Sequence, residues 1–194
     1  MKTPNWIYLD LEAQHAAADV GGWDHIDRMK CSVAVTFSLR EHRLRIYTDD
    51  SLQELAANLK SADCVIGYNL LRFDLVILEG YAGMDLAGIR CLDMLHEFRR
   101  AMGHTAALDS LLQATFGMPP GTDGSTLIRW WHEGKTLAVA GECCNDVLAM
   151  RRLHAHALEH GQVRFRNKFE KLQTAPANWS TRRAVRWQGK HHVR

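Results

Sequence analysis

The sequence lacks the features that would place it outside the ordinary globular proteins. None of its apolar runs approaches the roughly 18 residues that a membrane span needs, and we find no internal repeat or low-complexity segment. The five cysteines are odd in number and without paired spacing, so we expect reduced thiols and a cytoplasmic protein. The N-terminus reaches an acidic strand too early for a signal peptide. With 46% hydrophobic and 24% charged residues, fibrous and disordered chains are excluded.

Acidic residues are nearly absent from the C-terminal part of the chain. Residues 161–194 contain nine basic residues and one acid, Glu170, whereas residues 1–160 contain 15 basic and 21 acidic residues. A basic segment on an acidic body is typical of a protein that binds a polyanion, and equally of a solubilising terminus. We expect one domain over residues 1–179, followed by a flexible basic tail over residues 180–194.

Short apolar segments alternate with helical patterns along the first 160 residues. Strands are predicted at residues 6–12, 32–38, 44–48, 64–68 and 89–92, with a further short strand at 163–166. Helices are predicted from residue 52, at 73–81, 94–102, 108–116 and 125–132, and from 135 to about 160. The second and third strands are joined by a short turn, as in an antiparallel hairpin. The pattern predicts an α/β fold whose mixed five-stranded sheet includes this hairpin and is flanked by helices.

Four carboxylates occupy positions that this topology brings together. Asp10 and Glu12 alternate on the first strand, so their side chains point to the same face. Asp74 follows the fourth strand, and Asp146 lies on the last long helix. Burying unpaired carboxylates is costly, and a cation between them removes that cost. Hard oxygen donors without histidine or cysteine favour Mg²⁺ or Mn²⁺ over Zn²⁺.

Three ordered motifs carry a resemblance to a known family. They are Asp10-x-Glu12, Asn69-x-x-x-Phe73-Asp74 and Cys143-x-x-Asp146-Val147. Together they resemble the motifs of the DEDD 3′→5′ exonucleases, which are ribonuclease-H-like nucleases that use two metal ions. The segments at residues 20–23, 67–74, 108–111 and 129–134 resemble, more closely, bacterial YprB-like ribonuclease-H-like proteins. This resemblance covers roughly residues 5–179 and implies a ribonuclease-H-like fold.

The resemblance also implies roles for the four carboxylates. Asp10 would bridge two Mg²⁺ or Mn²⁺ ions, Glu12 and Asp146 would complete the first site, and Asp74 would hold the second ion. The implied substrate is a 3′ end of single-stranded DNA or RNA, from which a nucleoside monophosphate is released. The resemblance further implies a protein partner in repair or RNA turnover, and the lack of a long apolar run leads us to expect no contact with a membrane.

One position departs from the family pattern. The family places a tyrosine four residues before the last aspartate, or a histidine five residues before it, where this chain has Glu142 and Gly141. On a helix Glu142 shares a face with Asp146 and would act as general base or water ligand. Alternatively, Glu142 is an exposed carboxylate on a weakened enzyme. Three hypotheses stay open: a 3′→5′ exonuclease, a catalytically impaired nucleic-acid-binding or adaptor domain, and a structure-selective endonuclease.

Three further residues are candidates for binding substrate. Trp23 stacks on a base or packs on the core, and Asn69 bonds the substrate or braces a loop. Phe73 wedges against the terminal base or packs, and packing is favoured. Asp93 and Asp109 are expected to cap helices rather than bind metal.

Overall fold

A computed structural model describes residues 3–81 and 83–189 of the chain. Its strands and helices are, in chain order, β1 (Trp6–Ala13), β2 (Cys31–Ser38), β3 (Arg43–Tyr47), α1 (Leu52–Lys60), β4 (Cys64–Gly67), α2 (Asp74–Glu79), β5 (Arg90–Asp93), α3 (Met94–Met102), α4 (Leu108–Phe116), α5 (Gly124–His132), α6 (Thr136–His160), β6 (Gln162–Arg166), β7 (Leu172–Pro176) and β8 (Val185–Arg186). Each predicted strand and helix is present, whereas β7 and β8 are not indicated by the sequence pattern. Of the helices described, none combines the length and apolar character needed to cross a bilayer.

Six of these strands form one mixed sheet, in the order β3-β2-β1-β4-β5-β8. Strands β1, β4 and β5 run parallel to one another, whereas β2 is antiparallel to both β1 and β3. The predicted α/β class, the mixed sheet and the β2–β3 hairpin are confirmed. The predicted number of five strands is wrong, because β8 adds an antiparallel strand to the β5 edge.

The basic segment after residue 179 contacts the body of the protein at Arg183 and Trp187. The side chain of Trp187 is buried, and its indole N–H donates to a carboxylate oxygen of Glu79 at 2.5 Å. Arg183 forms an ion pair with the buried carboxylate of Glu97. A buried tryptophan supplies enough apolar contact to hold a two-residue strand that no sequence pattern reveals. Residues 190–194, the rest of the expected tail, lie outside the described residues.

The central strand β1 separates two apolar cores. Its residues Ile7, Leu9 and Leu11 face a core shared with α1 and α2, whereas Tyr8 faces a core shared with α3, α4 and α6. The Tyr8 hydroxyl lies 2.8 Å from Nδ1 of His154, which joins β1 to α6. Since side chains alternate along a strand, the residues after Tyr8 on the same face also point toward α6.

Strands β6 and β7 form a separate antiparallel hairpin. Val163 and Phe165 are buried on its inner face, while Arg164 and Arg166 are exposed on the outer one. The hairpin is tied to α4 through Thr115, whose hydroxyl accepts the backbone N–H of Arg164 at 3.1 Å. It therefore continues the α4–α6 side of the molecule away from the main sheet.

Candidate metal centre

Two of the predicted carboxylates come from β1. Asp10 and Glu12 are partly exposed, while Leu9, Leu11 and Ala13 between and beside them are buried. The alternation follows from the period-two geometry of a strand, so both carboxylates lie on the α6 face of the sheet. The expectation that they share a face is confirmed.

Helix α6 supplies the third carboxylate. Cys143 and Val147 are fully buried against the sheet, and Asp146 lies beside them at the edge of this apolar face. Carboxylate oxygens of Asp10, Glu12 and Asp146 all lie within 4.8 Å of one another. Within residues 3–81 and 83–189, no other trio of histidine, cysteine, aspartate or glutamate side chains comes this close.

Asp74 is buried at the first position of α2, with 2% of its surface exposed. It does not belong to the close trio, so the structure brings three of the four predicted ligands together. The charges of Asp10 and Glu12 nevertheless reach Asp74, because both raise its pKa, after the larger effect of burial. Asp74 is therefore a buried carboxylate in the electrostatic neighbourhood of the trio, outside the close group itself.

The four carboxylates carry strongly raised pKa values. Burial, followed by repulsion from Asp146, raises the pKa of Asp10 to about 8. Burial, followed by repulsion from Asp10, raises that of Glu12 to about 9. For Asp146 the pKa is raised to about 6, by burial and then by Asp109 and Glu142. Such crowding of acids disfavours their charged forms unless a cation lies between them.

Glu142 lies one turn before Asp146 on α6, as the sequence predicts. Both residues line a cavity of about 400 Å³ between α4, α6 and the loop 118–121. One carboxylate oxygen of Glu142 accepts the backbone N–H of Thr122 at 3.4 Å. Glu142 therefore lies at the cavity wall, one helical turn from Asp146 of the trio.

The three candidate substrate contacts have different environments. Trp23 is 69% exposed, so it does not pack on the core as one interpretation expected. Phe73 is partly buried against the core that β1 shares with α1 and α2, as the packing interpretation expects. Asn69 adopts a left-handed backbone conformation with φ of 64°, and its backbone N–H donates to Asp93 at 3.0 Å.

Asp93 acts as both a helix cap and a loop brace. Its side chain accepts the backbone N–H groups of Leu95 and His96 at the start of α3, so the predicted cap is confirmed. It also accepts those of Asn69 and Leu71, at 3.0 Å each. This second role fixes the loop that leads into Asp74, and the sequence gives no signal for it because the contact is non-local.

Asp109 has a role that the sequence analysis missed. The cap residue of α4 is Ala107, so the expectation that Asp109 caps this helix is wrong. Asp109 instead faces Asp146 across Gly121, where an added Cβ would lie 3.7 Å from an Asp146 oxygen and 3.8 Å from an Asp109 oxygen. The position therefore places Asp109, like Glu142, at the edge of the centre.

A mixed α/β fold with this carboxylate trio has the donor set of a protein that binds a hard divalent cation. The comparisons with known proteins give information about the fold alone. No protein-family model matches the sequence, and no curated protein matches it at the threshold of the search.

Among solved structures, the chain is similar to the family B DNA polymerase from the hyperthermophilic archaeon Pyrobaculum calidifontis, with a TM-score of 0.63 and 14% sequence identity. The match covers 80% of this chain and 25% of the polymerase chain, so this chain spans about a quarter of the polymerase's length. At this identity the similarity establishes a shared fold and does not establish an activity.

Proposed function

We propose that this protein is a metal-dependent 3′→5′ exonuclease of ribonuclease-H-like fold that acts on single-stranded DNA or RNA. The observation that carries the proposal is the trio Asp10, Glu12 and Asp146, whose oxygens lie within 4.8 Å, with Asp74 buried beside them. Two further points support it. The order of the motifs resembles the DEDD exonucleases, and the similar solved fold belongs to a protein that by its name handles DNA.

The donor set fits Mg²⁺ or Mn²⁺. All four carboxylates offer hard oxygen atoms. Their raised pKa values are expected for a metal site without its cation, because nothing then offsets the burial and mutual repulsion of the carboxylates. Asp10, Glu12 and Asp146 would hold the first ion, and Asp10 and Asp74 would hold the second. Two such ions, when bound, stabilise the charge on the attacking and leaving oxygens at phosphorus.

We assign Glu142 the role of general base, which accepts the proton of the attacking water. Its position one turn before Asp146 places it beside the trio, and the Thr122 backbone N–H fixes one of its oxygens. The Glu142 carboxylate would accept a hydrogen bond from water and then hold the transferred proton. Glu142 thereby takes the place of the tyrosine or histidine that the family pattern leads one to expect.

The substrate contacts are proposed from exposure and position. Trp23 offers an exposed ring on which a base can stack. Asn69 lies on the Asp93-braced loop before Asp74, where a side-chain amide would bond the terminal nucleotide. Phe73 would contribute the apolar edge of this subsite while packing on the core.

A second candidate is a nucleic-acid-binding or adaptor domain with impaired catalysis. The observation that favours it is the absence of tyrosine and histidine at positions 142 and 141. A structure-selective endonuclease on the same fold is the third candidate.

Product analysis separates the three candidates. The purified protein is incubated with Mg²⁺ or Mn²⁺ and internally labelled single-stranded DNA or RNA, beside the Asp146→Asn variant and a chelator control. Nucleoside monophosphates that disappear in both controls support the exonuclease. Internal fragments support the endonuclease. Binding without products supports the adaptor and overturns the proposal.

A further inference from the structure

The cavity that borders the acidic centre at Asp146 extends toward a positive charge. Glu142, Asp146 and Arg152 all line it from α6. Six residues at about 1.5 Å each place Arg152 about 9 Å beyond Asp146 along the helix axis. The groove between α4 and α6 therefore leads from the carboxylates to an exposed arginine.

Beyond Arg152 the surface continues with aromatic and basic side chains. The Arg152 guanidinium carbon lies 4.2 Å from the ring centroid of Phe116, whose ring meets that of His156 edge-on at 5.3 Å. The rings of His156 and His160 have centroids 4.2 Å apart. Arg164 is close as well, because its charge helps to lower the pKa of His156, after the larger effects of burial and of His160.

Strand β6 carries this surface further. Arg164 and Arg166 stand on its outer face, about 6.6 Å apart along the strand, while Phe165 between them is buried. Thr115 of α4 exchanges two hydrogen bonds with the backbone of Arg164, at 3.1 and 3.3 Å. The outer face of β6 is thus held rigidly against the end of the groove.

The arginines of this surface have no acidic partner. Among residues 3–81 and 83–189, no ion pair involves Arg152, Arg164 or Arg166, and all three side chains are exposed. The one carboxylate paired within the surface is Glu159, which lies 3.8 Å from His160. Uncompensated arginines beside aromatic rings match a phosphate backbone with bases available for stacking.

We propose that the surface formed by Phe116, Arg152, His156, His160, Arg164 and Arg166, here called the basic–aromatic surface, binds the single strand whose 3′ end occupies the acidic centre. The proposal rests on the function proposed above and adds the path of the substrate. The strand runs from the trio along the α4–α6 groove, with its 5′ portion on the outer face of β6. The arginines bind phosphates, and the rings of Phe116 and His156 provide stacking surfaces.

An acidic peptide would match the charge of the arginines but not the rest of the groove. The cavity that leads there is lined by Asp109, Glu142 and Asp146, which repel a peptide carboxylate. A nucleic acid enters the same cavity once cations neutralise these side chains. A single strand therefore fits both the acidic end of the groove and its basic end.

The test compares two double variants that each remove two exposed arginines. Arg152→Ala with Arg164→Ala changes the basic–aromatic surface. Arg43→Ala with Arg99→Ala is the matched control, since both of these arginines are exposed and make no ion pair in the described chain. Binding of a labelled 12-nucleotide single strand is measured by fluorescence anisotropy in chelator, where cleavage does not interfere.

We expect the surface variant to bind the strand at least about tenfold more weakly than the wild type, with the control unchanged. The slope of log affinity against log salt should fall by about 1.4, since each phosphate contact on a single strand contributes about 0.7. Equal binding by the two variants overturns the proposal. Displacement of the strand by poly-glutamate at equal charge would mark a general polyanion surface and overturn it as well.

Cleavage kinetics separate this proposal from the function it rests on. In Mg²⁺ or Mn²⁺ the surface variant should raise KM for the 12-nucleotide strand at least about fivefold with kcat unchanged, and should leave a dinucleotide substrate unaffected. If the wild type cleaves neither substrate, the exonuclease fails, and the anisotropy result alone decides whether the surface binds single strands. If both substrates lose kcat equally, the arginines do not define a path.

Discussion

The Cys143 thiol donates to a carboxylate oxygen of Asp10 at 3.3 Å and approaches the backbone carbonyl of Asp10 at 3.4 Å. This contact joins α6 to β1 at the point where the carboxylates from the two elements meet. The thiol hydrogen bond lowers the pKa of Asp10, against the larger effects of burial and of Asp146. Cys143 therefore favours the charged form of Asp10 that a cation requires.

Removing this thiol should weaken metal binding. Cys143→Ala deletes the donor and leaves the Asp10 oxygen without it, so we expect about tenfold lower affinity for Mn²⁺. Isothermal titration calorimetry measures the affinity. Cys144→Ala is the matched control, because Cys144 is the next residue on α6, is partly exposed and has no hydrogen bond to Asp10. Equal affinities in the two variants would show that Cys143 only fills space.

Neutralising the trio should stabilise the metal-free protein. Asp10→Asn combined with Asp146→Asn removes two buried carboxylates, and with them the repulsion of Asp10 by Asp146 and of Asp146 by Asp109 and Glu142, so the melting temperature in chelator should increase by several degrees. The same variant should lose the stabilisation by Mn²⁺, about 2.7 kcal/mol at a concentration 100 times the dissociation constant. Glu54→Gln, on an exposed face of α1, serves as control and should keep both properties. A destabilised double variant that still responds to Mn²⁺ would place the metal elsewhere.

The raised pKa values also predict how stability depends on pH. The folded state keeps protons on Asp10 and Glu12 at pH values where the unfolded chain has released them, because their pKa values rise to about 8 and about 9. The free energy of unfolding in chelator should therefore fall as pH rises from about 5 to about 9. Urea denaturation at the two pH values measures it. The double variant of Asp10 and Asp146 should show a flatter profile, and an unchanged profile would contradict the assignment.

Two pairs of carboxylates in the centre are predictable from the sequence because the geometry within each pair is local. The period of a strand places Asp10 and Glu12 on one face, and the period of a helix places Glu142 beside Asp146. Asp109 and the loop-bracing role of Asp93 depend on contacts between distant segments, which no spacing encodes. The same holds for β8, where a buried Trp187 rather than a strand pattern fixes the pairing.

Whether Glu142 acts as general base distinguishes an active enzyme from an impaired one. Glu142→Gln keeps the size of the side chain but removes the proton acceptor, so we expect kcat to fall about 100-fold. The stabilisation by Mn²⁺ should stay, since Glu142 lies outside the close trio. Steady-state cleavage and thermal shifts measure the two effects, with Glu54→Gln again as control. Unchanged kcat would mean that Glu142 is not the base.

The direction of degradation distinguishes a 3′→5′ exonuclease from the other candidate functions. Single-stranded DNA and RNA carrying a 5′ label are incubated with the protein and Mn²⁺, beside Asp10→Ala and Glu54→Gln. For a 3′→5′ exonuclease we expect a ladder that shortens from the 3′ end. The ladder should be kept in Glu54→Gln and lost in Asp10→Ala and in chelator. A ladder that survives Asp10→Ala, or intact strands with the wild type on both substrates, would contradict the proposed function.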